Sequence, residues 1–408
     1  MNNQKIKFID LFAGCGGLEE GFMQTGLYED IAAVEWLLPQ VKTLRKRLLE
    51  HWKINNADES VLWFDIQRED ELFNGWSNDA EYGSSKGLDY FVKEAGGIDV
   101  IIGGPPCQAY SLAGRVRDEN GMRNDYRNYL FEHYLSVVKR YKPKLFVFEN
   151  VPGILSAAPD GCLITDKIKR AINDIGYDIL DNLSEMAVLN ANQFGVPQSR
   201  KRVIIVGINA DLVNDTQSIL RDFYTSILIN YKTNKKVTVQ EAIGDLPPCL
   251  PLHSNIANAR KSHTTPECSV TWHRPRFQSE RDIEIFHMLA EDLESGECKY
   301  TSSEVLSEIY EKKVGSKSPI HRYHVLRPNE PSTTIIAHLY KDGNRYIHYD
   351  SKQSRSITPR EAARLQSFPD DFDFVGSQGN VFQMIGNAVP PLLAKCVAEA
   401  VAELLRRI

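Results

Sequence analysis

The sequence predicts an α/β protein: a doubly wound sheet accompanied by a second, smaller domain. Three observations carry that expectation. Short apolar runs alternate with amphipathic stretches from Ile6 to Ile208, the pattern of strands joined by crossover helices. This rhythm stops near residue 230, and dispersed turns, His, Arg and aromatic residues follow. A strong helical pattern returns in ProProLeuLeuAlaLysCysValAlaGluAlaValAlaGluLeuLeu, with Pro390 at its start. Residues 1–230 with 378–408 are therefore expected to form one domain and residues 231–377 the other.

Taken in order, Ile6–Phe12 reads as a buried strand closed by AlaGlyCysGlyGly, and Leu18–Thr25 as the helix after it. Ile31–Trp36 is a second strand and Pro39–Trp52 a second helix. Ile98–Ile102 is a third apolar run, ending in GlyGlyProProCysGln. Tyr129, Leu130, Tyr134, Val137, Val138 and Tyr141 recur at helical spacing. The strands Leu145–Phe148 and Arg202–Ile208 complete the set. Strands alternating with helices in this way imply a parallel sheet covered on both faces.

A chain of 408 residues, 42% hydrophobic and 25% charged, has the composition of an ordinary globular protein. The N-terminus lacks a signal-like apolar region and no run approaches membrane-spanning length. Seven scattered cysteines, an odd number, suit reduced thiols, so a cytoplasmic location without membrane partners is expected. The net charge of −6 does not advertise nucleic acid. A local basic cleft can still bind phosphates on a net acidic chain.

Phe8–Phe22 is a strand, a glycine turn and a helix start, which lets a ligand approach the backbone closely. A dinucleotide fingerprint would need a small residue at position 19, and Glu19 stands there. Two acidic side chains, Glu19 and Glu20, are expected to repel a pyrophosphate, so a nucleoside with a carboxylate fits better. Glu35 ends the second strand, where a ribose-binding carboxylate belongs, and Asp65 is placed to receive the base. Cys107 follows a strand and two prolines, which fix the thiol at the end of the sheet where α/β ligands gather. Cysteine is also intrinsically nucleophilic. Glu149, in PheValPheGluAsnVal, should be part-buried and so able to hold a proton against a heterocycle nitrogen. Gln198, Arg200 and Arg202 alternate before a strand and are expected to share one face. Between Cys107 and the Tyr129 helix lies a polar, glycine-containing stretch that includes Arg115, read as a lid able to bring arginines to phosphates.

Together these residues resemble the DNA (cytosine-5) methyltransferases, over nearly the whole chain and in the family's motif order. AspLeuPheAlaGlyCysGlyGly is similar to the S-adenosylmethionine motif and GlyGlyProProCysGln to the nucleophile motif. GluAsnVal, GlnSerArgLysArg, Arg355–Phe372 and GlnMetIleGlyAsnAlaValProPro follow in order. The resemblance implies a doubly wound mixed sheet of the S-adenosylmethionine-dependent, Rossmann-like type, with residues 231–377 as a target-recognition domain. It implies that Cys107 attacks C6 of a flipped-out cytosine, that Glu149 contacts N3 and the exocyclic amine, and that Arg202, with Arg200 nearby, holds the base. Phe12, Gly14, Cys15, Gly17, Glu35, Trp36, Asp65, Ile66, Gly104, Pro106, Asn387 and Val389 match cofactor-contacting positions. Gln108 and Ser111 match DNA contacts, and Thr334, before Ile335, resembles the threonine of the family's recognition domain. The motif around Arg360–Leu365 would organise that domain without entering the chemistry.

The partners implied are double-stranded DNA and S-adenosylmethionine, released as S-adenosylhomocysteine, in a nucleoid-associated monomer of prokaryotic stand-alone type. A restriction endonuclease or other defence proteins encoded alongside would fit that type. The tRNA-directed relatives carry CysPheThr in the variable domain; here LeuPro, SerVal and LysTyr follow Cys249, Cys268 and Cys298, which favours DNA. The intact Cys107, Glu149 and Arg202 set weighs against a DNA-binding scaffold that has lost catalysis. Cys249, His253, His263, Cys268 and His273 lack metal-site spacing, so no metal is expected. Arg274 and Arg276 are read as phosphate or base-edge contacts.

Overall fold

The computed structural model describes residues 4–106, 129–158, 161–252, 261–315, 323–341 and 343–408. Its strands are β1 (Ile6–Leu11), β2 (Tyr28–Glu35), β3 (Val61–Trp63), β4 (Trp76–Asp79), β5 (Gly83–Ser85), β6 (Val100–Gly103), β7 (Leu145–Asn150), β8 (Tyr177–Ile179), β9 (Val188–Asn190) and β10 (Lys201–Asn209). Eight of them form one sheet in the order β3-β2-β1-β6-β7-β10-β8, with β9 on β10, while β4 and β5 pair as a separate hairpin.

From β3 to β7 the sheet is parallel, with Phe8 opposite Val100 and Ile102 opposite Val147. β10 then runs antiparallel to β7, placing Ile204 opposite Glu149, and β8 and β9 pair antiparallel to β10. The all-parallel sheet expected from alternation alone is thus a mixed one. The cause is local: β9 and β10 are joined by a short connection with no helix long enough for a crossover, so they can pair only antiparallel. Burial explains the continuous apolar runs: every residue of β6 is buried, as parallel strands covered on both faces must be. The helix Leu130–Tyr141 locks the two strands that lead to the site. Its buried Tyr134 hydroxyl shares its proton between the carbonyls of Ile101 (3.1 Å) and Val147 (3.0 Å).

The chain divides into two compact units. The first comprises residues 1–195, 201–234 and 389–408, and contains the sheet. The second comprises residues 196–200 and 235–388. The expected divisions at 230 and 377 therefore move to 234 and 388. The helix Gln378–Asn387 goes with the second unit because Gly386 packs against the backbone of Ile336 and Ala337. Residues 196–200 join that unit by pairing: Gln198 bridges Ser332, and the Ser199 amide donates to the Ser332 carbonyl (2.8 Å).

Two amphipathic helices, Glu280–Ser295 and Ser303–Val314, belong to the second unit. Ile285, Phe286, Leu289, Leu306, Tyr323 and Ile347 make their apolar core. The Arg355–Phe372 segment supplies a polar core. Arg355 makes a two-pronged bond to Glu361, both arms 2.7 Å, and Glu361 also completes a capping box with Thr358. Arg360, fully buried, donates to the carbonyls of Thr271, Pro369 and Phe372. Among the described residues no helix is long and apolar enough to cross a membrane.

Candidate active site

The carboxyl ends of β1, β2, β3, β6 and β7 gather most of the first unit's predicted residues. After β1 the backbone turns through left-handed conformations at Phe12 (φ +58°), Gly14 (φ +59°) and Gly16 (φ +88°). Phenylalanine is a costly residue for that conformation, and such strain collects at binding sites. The next strand holds the turn in place: one carboxylate oxygen of Glu35 accepts the Gly14 amide (2.9 Å) and the other the Leu37 amide (2.8 Å). Burial raises the pKa of Glu35, and the amides of Leu37, Gly14 and Trp36 pull it back. Cys15 is sealed in, its thiol pushed up to about 12 by burial, so only its backbone can face a ligand.

Beside this turn the structure leaves room. A Cβ on Gly14 would meet nothing within 4 Å. Trp36, directly after Glu35, is 49% exposed, although such an indole is normally covered. Trp63, at the end of β3, donates its indole N–H to the Trp36 carbonyl (2.8 Å) and so fixes the loop that carries this ring. Asp65 caps the backbone of Gln67 (3.0 Å), and Ile66 is buried beside it. Gly17 begins the helix after the turn, and Val389 is buried at the start of the returning chain. A left-handed glycine turn, a carboxylate at the end of the next strand, an exposed indole and open space leave room for a nucleoside bearing an amino-acid tail, which is the shape of S-adenosylmethionine.

One expected effect is not realised. Glu19 and Glu20 were expected to repel an anion at the turn, but both point into the core. Glu20 is bound by Arg47 (2.7 and 2.9 Å) and by the Trp52 indole (3.0 Å). Glu19 has its pKa raised well above the usual range by burial and by Asp30, Asp10 and Glu20, which favours its neutral form. Neither places a free charge at the turn.

The second cluster follows β6 and β7. Glu149 lies against Gly104, where a Cβ would come within 2.7 Å of Oε2. The neighbouring Asn150 donates to the Pro105 carbonyl (3.1 Å), which pins the proline turn to β7. Sequence reasoning passed over Asn150, though its place beside Glu149 was a signal. Arg202, on β10, reaches Glu149 with Nε 2.8 Å from Oε1, both side chains 12% exposed. Pro106 is half-buried at the end of the described stretch. Cys107, Gln108, Ser111, Arg115 and the expected lid lie outside the described residues.

Gln198, Arg200 and Arg202 do not share one face. Gln198 and Arg200 belong to the second unit and are 0% and 1% exposed. Arg200 donates to the carbonyls of Ile335 (2.7 Å), Gly386 (2.9 Å) and Ala388 (3.1 Å). A guanidinium committed to three carbonyls organises its own surroundings, and this corrects the expectation that Arg200 works beside Arg202. Alternation fails because β10 begins only at Lys201. Thr334 donates its hydroxyl to the Ser199 carbonyl (2.7 Å), and Asn387 is exposed at the end of its helix in the second unit. Arg274 is exposed and stacks on Trp272 at 4.4 Å, whereas Arg276 lines a cavity.

Among the described residues no group of three or more His, Cys, Asp or Glu is arranged to hold a metal. Cys249 and His273 are 3.6 Å apart, but that His273 nitrogen lies 2.8 Å from the Pro247 carbonyl.

Residues 6–403 match the family model described as C-5 cytosine-specific DNA methylase. The chain is 34% identical to the type II methyltransferase M.Bpa9945I of Bacillus paralicheniformis, over 97% of this chain and 98% of that one. It is 31% identical to the type II methyltransferase M.DdeI of Desulfomicrobium norvegicum, over 97% and 88%. Among solved structures, a prophage-encoded E. coli protein assigned as a DNA modification methyltransferase aligns with a TM-score of 0.64 and 25% identity, over 98% of this chain and all of that one. The Dnmt2 methyltransferase of S. pombe shares the fold, with a TM-score of 0.55 and 14% identity over 99% of each chain.

Proposed function

Because the chain belongs to the C-5 cytosine-specific DNA methylase family and is a DNA (cytosine-5-)-methyltransferase using S-adenosylmethionine, we propose that it acts on a flipped-out cytosine through a covalent Cys107 adduct. The observation that carries this reading is the Glu149 carboxylate, held by Arg202 directly over Gly104, at the end of the strand that leads into ProProCys. A cytosine must leave the duplex to reach such a site, at a cost of about a few kcal/mol.

In the proposed sequence the Cys107 thiolate bonds to C6 while Glu149 holds a proton at N3 and accepts from the exocyclic amine. That makes C5 nucleophilic. When bound, S-adenosylmethionine would supply the electrophilic methyl group that C5 takes, its S–CH3 bond breaking to leave S-adenosylhomocysteine. A base then removes the C5 proton, the Sγ–C6 bond breaks and the thiolate returns. Arg202 keeps the Glu149 carboxylate aimed and would meet the base's carbonyl oxygen. Arg200 is given a positioning role. Phe12, Gly14, Glu35, Trp36 and Asp65 would hold the cofactor, joined by Gly17, Ile66, Gly104, Pro106 and Val389, with Cys15 contributing backbone only.

The second unit, with Thr334 and Arg274, is proposed to read the DNA sequence, and Gln108, Ser111 and Arg115 to meet the DNA beside the target. The type II names of the relatives support a place in a restriction-modification pair, with an endonuclease encoded alongside. Bisulfite sequencing of DNA from cells expressing the chain tests this directly. Methylated cytosines in one recurring sequence are expected with the wild type, and none with Cys107→Ala. Methylation by Cys107→Ala would remove the adduct from the mechanism.

A further inference from the structure

A cavity of about 200 Å³ opens in the second unit, at the start of the helix Glu280–Ser295. Among the described residues Arg276, Arg281 and Lys341 line it, against a single carboxylate, Asp282. Arg281 already pairs with Asp282 at 3.1 Å. The lining therefore carries a surplus of positive charge, and the amino end of a sixteen-residue helix adds to it.

Tyr323 also lines the cavity and is 1% exposed. Its ring is packed into the core, 5.9 Å from Tyr310 and 6.4 Å from Phe286 between centroids. Among the described residues its hydroxyl has no hydrogen-bond partner. A buried polar group without a partner is uncommon, because it has given up its water for nothing. Burial pushes this phenol up to about 12, so at neutral pH it carries its proton and can only be waiting for an acceptor. The cavity is smaller than a site for a drug-sized molecule. It is rimmed by Phe277, an aromatic ring 50% exposed.

We propose that this cavity binds a phosphate oxyanion, with the Tyr323 hydroxyl as its buried donor and Arg276, Arg281 and Lys341 as its cations. A phosphate offers several acceptor oxygens and enough charge to answer the surplus. Its source is either a backbone phosphodiester of DNA, which rests on the proposed reading of the second unit, or a free phosphate.

The test is calorimetric titration of the full-length protein with inorganic phosphate, at ionic strength held constant with chloride. Saturable binding is expected, weakened tenfold or more by Tyr323→Phe and by Lys341→Gln. Tyr323→Phe keeps the ring in its packing, so its thermal midpoint without phosphate should equal or exceed that of the wild type, which separates lost binding from lost folding. Competition between phosphate and a short non-specific DNA duplex supports the backbone source. Binding that duplex does not displace supports free phosphate. No saturable binding, or equal binding by wild type and Tyr323→Phe, overturns the site and assigns the hydroxyl to a water. DNA methylation, measured separately by bisulfite sequencing, reports on the functional reading whichever way the titration falls.

Discussion

A methyl group added to Gly104 would stop 2.7 Å from Oε2 of Glu149. The two residues sit at the ends of adjacent parallel strands, β6 and β7, and the missing side chain of one makes room for the carboxylate of the other. The second glycine of GlyGlyProProCys is therefore required by Glu149 rather than by backbone torsion.

Gly104→Ala should separate activity from stability. The clash is with Oε2 at the far end of a side chain, which can shift while Oε1 keeps its pair with Arg202, so the thermal midpoint should fall less than in Arg202→Ala. The displaced carboxylate is another matter, since misplacement by about 1 Å can cost about a hundredfold in rate. A fall of that order in kcat, measured by methyl transfer to DNA, is expected; unchanged kcat would mean that Glu149 need not stay where it is.

Arg202→Ala leaves Glu149 largely buried without its cation. Breaking such a pair costs about 3–5 kcal/mol, so both thermal midpoint and methyl transfer should fall. Arg202→Lys should recover much of the stability and little of the activity, because an ammonium cannot reproduce the guanidinium's directed N–H. Equal recovery of both would reduce Arg202 to a counter-charge.

Trp63→Phe removes the bond to the Trp36 carbonyl while keeping an aromatic ring. One hydrogen bond is worth about 1 kcal/mol. The KM for S-adenosylmethionine should therefore rise by about fivefold with kcat nearly unchanged. A loss in kcat with unchanged KM would contradict the assignment of this loop to the cofactor.

Asp10, Glu19 and Asp30 are buried together beneath the glycine turn, and Asp30 is pushed up to about 7, chiefly by burial and then by Glu29. The native state thus binds a proton at Asp30 that the unfolded chain releases near its ordinary value of 3.8. Stability from this group is full below about pH 4 and is lost as pH rises through about 7. Asp30→Asn cannot ionise, so its thermal midpoint should fall less than the wild type's between about pH 5 and about pH 8. Parallel curves would place the ionisation elsewhere.

The site was legible in the sequence where its residues lie next to one another in the chain. A glycine turn after an apolar strand, a carboxylate at the end of the next strand and a proline turn before a cysteine each depend on local backbone chemistry. Glu35, Trp36 and Glu149 accordingly fall at strand ends, as the alternation of strands and helices requires. Apolar runs also revealed most of the sheet, because strands buried on both faces need nothing else.

Partnership across distance was not legible. Gln198, Arg200 and Arg202 form one pattern in the chain, yet the first two are engaged within one unit and the third within the other. Glu19 and Glu20 look like surface acids beside a turn, and only packing against Arg47, Asp10 and Asp30 reveals that they are interior. Side-chain type states what a residue can bond. Which bond it makes depends on what the rest of the chain brings within about 3 Å, and only the tertiary structure decided that.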